Sequence, residues 1–300
     1  MTTRTVAVLG AGVMGSGIAH ACAVAGWPTA LFDASAGARE RGTARVRELF
    51  QAGVARGKLP PEAAEAAAAR LRTASSIRDA CRGADLVIEA VVEDAEVKRE
   101  VLAQASDWAD PGVLLATNTS SLPVGILAAE LPRPGRLVGL HFFNPVPVMR
   151  LVEVVVHDAV EPATLAEARE VVVGLGKEAI VVRDTPGFAS SRLGVVLGLE
   201  AIRMLEQGVA AAEDIDRAME LGYNHPMGPL RLSDLVGLDV RLRVADVLQR
   251  ELGGEQYRAP ELLRRLVAEG KLGRKAGEGI YQWPDRGLPE GGAGAPPRPT

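Results

Sequence analysis

An α/β domain built on a mostly parallel sheet, followed by an all-helical domain, is the fold class this sequence predicts. Three observations predict it. Short apolar runs alternate with helix-like stretches through the first half of the chain. A glycine-rich turn joins the first of those runs to a helical pattern. Past Asp184-Thr185-Pro186-Gly187 no further strand-like run appears. Strand and helix in alternation are the signature of a parallel sheet covered by its own crossover helices.

The runs Val6 to Leu9, Thr29 to Phe32, Leu86 to Ile88, Val113 to Ala116 and Leu137 to Leu140 read as buried strands, and Leu151 to Val156 and Ala179 to Val182 continue the series. Each is short, apolar and rich in branched side chains. Residues 39–72, rich in Ala, Arg and Glu, are longer than one ordinary crossover and read as a helical excursion. In the second half, Phe188 to Gln207, Ala212 to Leu221, Leu230 to Leu252 and Pro260 to Glu269 carry apolar residues at helical spacing. Glu213 and Asp214 suit the positive N-terminal end of the second of these helices. The expected organisation is a sheet domain over 1–184, a helical domain over 185–284, and a Pro/Gly-rich tail over 285–300 too polar to build a core.

The chain has 300 residues, 47% hydrophobic and 24% charged, with a formal net charge of −4. These are globular values. They argue against a nucleic-acid partner, which draws a basic footprint. No apolar stretch reaches the roughly 18 residues of a membrane helix, and the N-terminus shows no signal-peptide pattern. The two cysteines, Cys22 and Cys81, make no disulfide framework, so a reducing cytoplasm is expected. No Cys/His cluster has metal-ligand spacing; Cys22 with His20 reads as packing within one helix.

Gly10-Ala11-Gly12-Val13-Met14-Gly15 fits G-x-G-x-x-G, and it follows a predicted strand and opens a helix, as the motif requires. Gly10 permits the tight turn, Gly12 lets backbone N–H groups approach a pyrophosphate, and Gly15 lets the helix pack on the sheet. A helix N-terminus offers the phosphates unpaired donors and partial positive charge. Asp33, closing the second strand, stands where an acid accepts hydrogen bonds from the ribose hydroxyls of NAD and repels the extra phosphate of NADP. The first domain is thus expected to be a Rossmann-type dinucleotide-binding domain with NAD as cofactor. Arg39 and Arg41 nearby read as helix surface.

His141 follows the fifth predicted strand, at the carboxyl end where ligands of such sheets bind; a structural histidine is the competing reading. Glu153 stands in the otherwise apolar run Leu151-Val152-Glu153-Val154-Val155-Val156. A buried carboxylate needs a partner. Paired with His141, it fixes the ring's tautomer and favours the imidazolium, as in a general acid–base site. The alternative is an exposed Glu on an edge strand. Asn118-Thr119-Ser120-Ser121 lies at another strand end, near the cofactor or as a helix cap. Asn144, before Pro145, has the same double reading as ligand or turn.

Taken with Val87-Ile88-Glu89-Ala90-Val91-Val92-Glu93, His141-Phe142-Phe143-Asn144-Pro145-Val146-Pro147, Gly176-Lys177, Asp184-Thr185-Pro186-Gly187-Phe188, Pro226-Met227-Gly228-Pro229-Leu230 and Lys275-Ala276-Gly277-Glu278-Gly279, these motifs resemble the 3-hydroxyacyl-CoA dehydrogenase family, in particular the short bacterial 3-hydroxybutyryl-CoA dehydrogenases. The resemblance spans nearly the whole chain. It implies an NAD-binding domain and a helical domain that forms a homodimer. It implies that His141 exchanges the proton of the 3-hydroxyl, that Glu153 orients His141, and that Ser120 contacts substrate and cofactor. It places Glu93, Lys98, Asn144 and Lys275 along NAD and a basic residue, Arg56 or Lys58, at the CoA phosphates. Members carry Asn in Phe-x-x-Asn-Arg; here the pattern is Phe188-Ala189-Ser190-Ser191-Arg192. Ser191 offers a shorter hydroxyl in place of an amide, which points to a substrate held differently.

Three other readings are weighed beside this one. The same chemistry on an acyl carrier protein is compatible with Arg56 and Lys58, because phosphopantetheine also brings negative charge. A non-catalytic NAD-binding protein has no physical need for a buried acid–base pair. The 3-hydroxyisobutyrate dehydrogenase group relies on a lysine in its helical domain, and none lies between Lys177 and Lys271.

Overall fold

The computed structural model describes residues 3–284. The expected tail from Asp285 onward lies outside the described residues. The chain forms two compact units, Met1–Phe188 and Ala189–Thr300. The first contains strands β1 (Val6–Leu9), β2 (Thr29–Phe32), β3 (Leu71–Thr73), β4 (Leu86–Glu89), β5 (Leu114–Thr117), β6 (Leu137–Phe142), β7 (Leu151–Val156) and β8 (Glu178–Arg183). Its helices are α1 (Val13–Val24), α2 (Ala36–Ala55), α3 (Pro61–Arg70), α4 (Ile77–Cys81), α5 (Ala95–Trp108), α6 (Val124–Ala128) and α7 (Pro162–Gly174). The second unit contains α8 (Ser190–Glu206), α9 (Ala212–Gly222), α10 (Pro229–Val236), α11 (Leu238–Leu252) and α12 (Glu261–Ala268).

The eight strands form one sheet in the order β3-β2-β1-β4-β5-β6-β7-β8. All neighbours run parallel except β6 and β7, which are antiparallel. The order reverses between β1 and β4, the switch point at which open sheets of this kind bind ligands. β1, β4 and β5 are buried along their whole length, which is why they read as apolar runs rather than alternating ones. Their side chains divide between two cores. One holds Val6, Val8, Ile18, Phe50 and Ile88 beneath α1 to α3; the other holds Ala7, Leu9, Val87, Leu102 and Leu127 beneath α4 to α6.

Two elements differ from the expectation for physical reasons. β3 escapes the sequence because it is a three-residue edge strand, half-buried at Leu71 and exposed at Arg72 and Thr73, with no apolar run to mark it. The single helix expected over Leu230 to Leu252 is two, because Gly237 adopts φ +101° between α10 and α11, a conformation that side-chain-bearing residues avoid. The helical excursion is the pair α2 and α3. The helical unit has its own core around Leu199, Ile202, Leu230, Leu238 and Leu248. In it the buried Asp234 carboxylate accepts from Ile280 N, Tyr281 N and Trp283 Nε1, which pins the segment carrying Lys275.

Cys22 and Cys81 are free and buried, and burial pushes both thiols up to about 12. No helix among the described residues is long and apolar enough to cross a membrane. His20 lies buried on α1 against the Phe50 ring at 4.8 Å, and neither ring nitrogen has a hydrogen-bond partner among the described residues. Burial, with the Lys177 ammonium as a smaller cause, pushes its imidazole down from 6.5 to about 4. The unfolded chain therefore takes up a proton that the folded chain refuses. Stability is full above pH 6.5 and falls as the pH drops toward 4, by about 3 kcal/mol for this group. We expect a His20→Leu variant to lose clearly less thermal stability than the parent over that interval. Parallel pH dependences of Tm in the two proteins would remove His20 as the cause.

Candidate active site

The carboxyl ends of β1, β4, β5 and β6 carry the glycine turn, Glu93, segment 118–121 and His141, while Asp33 follows β2, Glu153 lies in β7, and Arg56 and Lys58 lie at the end of α2. After β1, Gly10 takes φ +111°, and a Cβ there would lie 2.4 Å from the Ala90 carbonyl oxygen. A Cβ on Gly15 would lie 1.8 Å from the Gly10 oxygen, so only glycine lets α1 begin this close to the turn. Gly12 is the opposite case: a Cβ would meet nothing within 4 Å, and no side chain caps α1. The first-turn N–H groups, including those of Val13 and Met14, are thus unclaimed by a capping side chain. A pyrophosphate fits there.

Asp33, one residue beyond β2, accepts from Ala11 N through Oδ2 (2.9 Å) and from Ser35 N through Oδ1 (3.0 Å). Each oxygen keeps acceptor capacity for a ribose hydroxyl. The carboxylate also locks the glycine turn to the end of β2. Arg39 donates from Nη1 to the backbone oxygen of Asp33 at 2.6 Å. These residues fit an adenine dinucleotide without a 2′-phosphate.

His141 lies within β6 rather than just past it. In the antiparallel ladder its direct cross-strand partner is Glu153. His141 Nδ1 and Glu153 Oε2 are 2.7 Å apart, with side-chain exposures of 9% and 0%. Two acid–base side chains this dry hold each other's polar atoms in place of water. The contact makes Nδ1 the donor to the carboxylate and leaves Nε2 as the nitrogen available to a substrate. Phe143 and Phe188 flank the imidazole, with ring centres 4.6 and 5.7 Å away.

Ser120 is exposed at the end of β5, and its segment is gripped from below by Glu93. Glu93 Oε1 accepts from Thr119 Oγ1 at 2.7 Å, from Ser120 N at 2.9 Å and from Ser121 N at 3.0 Å. Burial alone would raise the Glu93 carboxyl, but the Thr119 hydrogen bond, the Lys98 ammonium and the Ser120 and Ser121 donors outweigh it and hold the group below the ordinary range. The Lys98 side chain is 1% exposed and its ammonium lies between Glu89 (2.8 Å) and Glu93 (3.3 Å), not in open space. Asn144 is exposed ahead of a cis Asn144–Pro145 bond. Lys177 Nζ donates to the Val146 and Met149 carbonyl oxygens at 2.6 and 2.7 Å and so fixes the segment that follows Asn144. Arg56 and Lys58 are exposed at the end of α2 with no ion pair among the described residues. In the helical unit Lys275 Nζ pairs with Asp239 at 2.6 Å, and Ser191 is half-buried in the first turn of α8.

Sequence reasoning missed Glu89, Thr117 and the role of the Asn118 side chain. Asn118 Oδ1 accepts from Phe142 N at 3.0 Å and ties the end of β5 to β6. Glu89 closes an apolar run just as Glu153 interrupts one, so the burial argument that singled out Glu153 applied to it as well. Among the described residues no group of three or more His, Cys, Asp or Glu side chains is placed to hold a metal ion.

Fold and site together define a dinucleotide-dependent oxidoreductase. Family models narrow the class: 3-hydroxyacyl-CoA dehydrogenase, NAD binding domain, matches residues 5–185, and 3-hydroxyacyl-CoA dehydrogenase, C-terminal domain, matches 187–283. The chain is 42% identical over 282 residues to a 3-hydroxybutyryl-CoA dehydrogenase of Mycobacterium tuberculosis, a match covering 93% of this chain and 98% of that one. It is 42% identical over 284 residues to a 3-hydroxyadipyl-CoA dehydrogenase of Escherichia coli, covering 94% of this chain and 60% of that one. The solved structure of (S)-3-hydroxybutyryl-CoA dehydrogenase from Ralstonia eutropha is similar with a TM-score of 0.90 and 40% identity, over 95% of this chain and all of that one. The chain belongs to the 3-hydroxyacyl-CoA dehydrogenase family and is an NAD-dependent oxidoreductase of 3-hydroxyacyl-CoA.

Proposed function

We propose that the protein interconverts a short 3-hydroxyacyl-CoA of the 3-hydroxybutyryl type and its 3-oxo form, with His141 as the proton-transfer group. The buried His141–Glu153 pair at the carboxyl edge of the sheet, 2.7 Å apart, carries this reading. Gly10, Gly12, Val13, Met14 and Gly15 hold the pyrophosphate, Asp33 the adenosine ribose, and Glu93 and Asn144 line the remainder. NAD, when bound, supplies the hydride acceptor for oxidation at C3 and, in its reduced form, the donor for the reverse. His141 Nε2 takes the hydroxyl proton on oxidation and returns it on reduction. Glu153 holds Nδ1, fixing the tautomer and balancing the charge of the protonated ring. The Ser120 hydroxyl, turning from its long 3.3 Å contact with Glu93, donates to the substrate oxygen as charge develops there. Arg56 or Lys58 meets the CoA phosphates. We further propose a homodimer formed through the helical unit, on which Leu193, Leu221 and Tyr223 are more than 70% exposed, working in a reducing cytoplasm compatible with two free thiols.

The test is the fall in NADH absorbance with acetoacetyl-CoA, run beside a 3-oxoadipyl thioester and beside acetoacetyl groups on a carrier protein. Fast turnover of the short CoA ester, above both others, is expected; turnover confined to the carrier-bound form overturns the choice of carrier. Ser191 adds a second expectation. Its hydroxyl is shorter than the amide of the usual Asn, so Ser191→Asn should reorder the preference among these substrates. An unchanged ranking and rate would show the position to be neutral.

A further inference from the structure

Beneath Ser120 lies a chain of charges that the reaction itself does not call for. Glu93 Oε1 faces five donors of segment 119–121: the hydroxyls of Thr119 (2.7 Å), Ser120 (3.3 Å) and Ser121 (3.0 Å) and the N–H groups of Ser120 (2.9 Å) and Ser121 (3.0 Å). Its other oxygen, Oε2, lies 3.3 Å from Lys98 Nζ. Lys98 Nζ is held in turn by Glu89 Oε1 at 2.8 Å. Glu89 is anchored to the ends of two strands, accepting from Val91 N at 2.7 Å and from Thr117 Oγ1 at 2.6 Å. The Glu89 and Lys98 side chains are 0% and 1% exposed.

Stability does not explain this arrangement. Desolvating a carboxylate and an ammonium costs about as much as their attraction returns, and well-packed apolar side chains of the same volume serve a core equally well or better. What the pair does achieve is a division of labour on Glu93. With Lys98 pinned by Glu89, the ammonium takes one oxygen of Glu93 and leaves the other to the serine segment. Without Glu89, the Lys98 ammonium is left with Glu93 as its only nearby carboxylate and is drawn onto both of its oxygens, in competition with those five donors.

We propose that Glu89 is a positioning residue, acting through Lys98 and Glu93 to hold the Ser120 hydroxyl in place for the substrate oxygen. Neither Glu89 nor Lys98 touches the reacting atoms. The proposal rests on the role given to Ser120 above, and its test separates the two.

Two variants of the full-length protein carry that test: Glu89→Gln, neutral but of the same shape, and the double variant E89L/K98M, which removes both charges together. Hydrogen exchange of the apoprotein is the first readout. Exchange at the Ser120 and Ser121 amides should speed up by about tenfold or more in E89Q, while the amides of β1 keep their protection. Turnover with acetoacetyl-CoA and NADH should fall about 10- to 100-fold in E89Q and by clearly less in the double variant, where no ammonium is left to compete for Glu93, with Kd for NADH within about threefold of the parent and a parent-like Tm in the double variant. Combined with Ser120→Ala, E89Q should cost little more than Ser120→Ala alone, because both act on one group.

Unchanged exchange at 120 and 121, or a turnover loss that adds in full to that of Ser120→Ala, overturns the proposal. So does a loss carried by Kd for NADH, which would make Lys98 a direct cofactor contact. If Ser120→Ala itself turns over normally, the role of Ser120 falls and this proposal with it. If Ser120→Ala is impaired while E89Q is not, only this proposal falls.

Discussion

His141→Ala is expected to lower turnover by about 10²- to 10⁴-fold, the scale that a positioned general base contributes. NADH affinity should hardly change, because the ring lies at the end of β6 while the glycine turn and Asp33 lie at the ends of β1 and β2. The loss should be of one size in both directions, since the group that takes the proton on oxidation returns it on reduction. Steady-state rates in both directions, with NADH binding followed by its fluorescence, check this. Near-normal turnover in the variant would assign the proton to another group.

Glu153→Gln should cost about 10²-fold in turnover, at the lower end of the range for its partner. The amide keeps the shape and an oxygen for His141 Nδ1–H. What it withdraws is the negative charge 2.7 Å from the ring, which supports the imidazolium when the substrate proton arrives. Glutamine also has a second orientation, with its NH₂ toward the imidazole, which turns the ring to the wrong tautomer. KM for the thioester should change much less than kcat. A variant with lowered substrate affinity and normal kcat would make Glu153 a structural neighbour and not the orienting group.

Much of this site was legible because buried polar groups stand out in apolar runs. Glu153 is conspicuous between valines, and a buried carboxylate there needs a partner, for which His141 is one candidate. The glycine turn was legible from its spacing between a strand and a helix, and Gly10 and Gly15 each answer a separate steric demand. Other parts were hidden for definite reasons. The antiparallel pairing of β6 with β7 leaves no mark in either run, since both strands are buried and read alike in either direction. β3 is too short and too exposed to carry a period. The Glu89–Lys98 pair joins positions nine apart that belong to a strand end and the following helix, and no rule of spacing within one element links them. Lys98 was expected to line NAD by resemblance; its burial between two carboxylates became visible only with the fold.

The reversal of chain direction between β6 and β7 has a consequence for how the catalytic pair can change over time. Because His141 and Glu153 face each other across one rung of the ladder, their backbone pairing changes only in whole steps. A slip of one residue turns Glu153 to the opposite face, and a slip of two sets it against another rung. No intermediate register lies between. Changes in the segment joining the strands beyond Phe143 and Asn144 therefore leave the facing of the pair untouched so long as the ladder keeps its register. As long as the rungs stay in step, the acid–base chemistry is inherited whole.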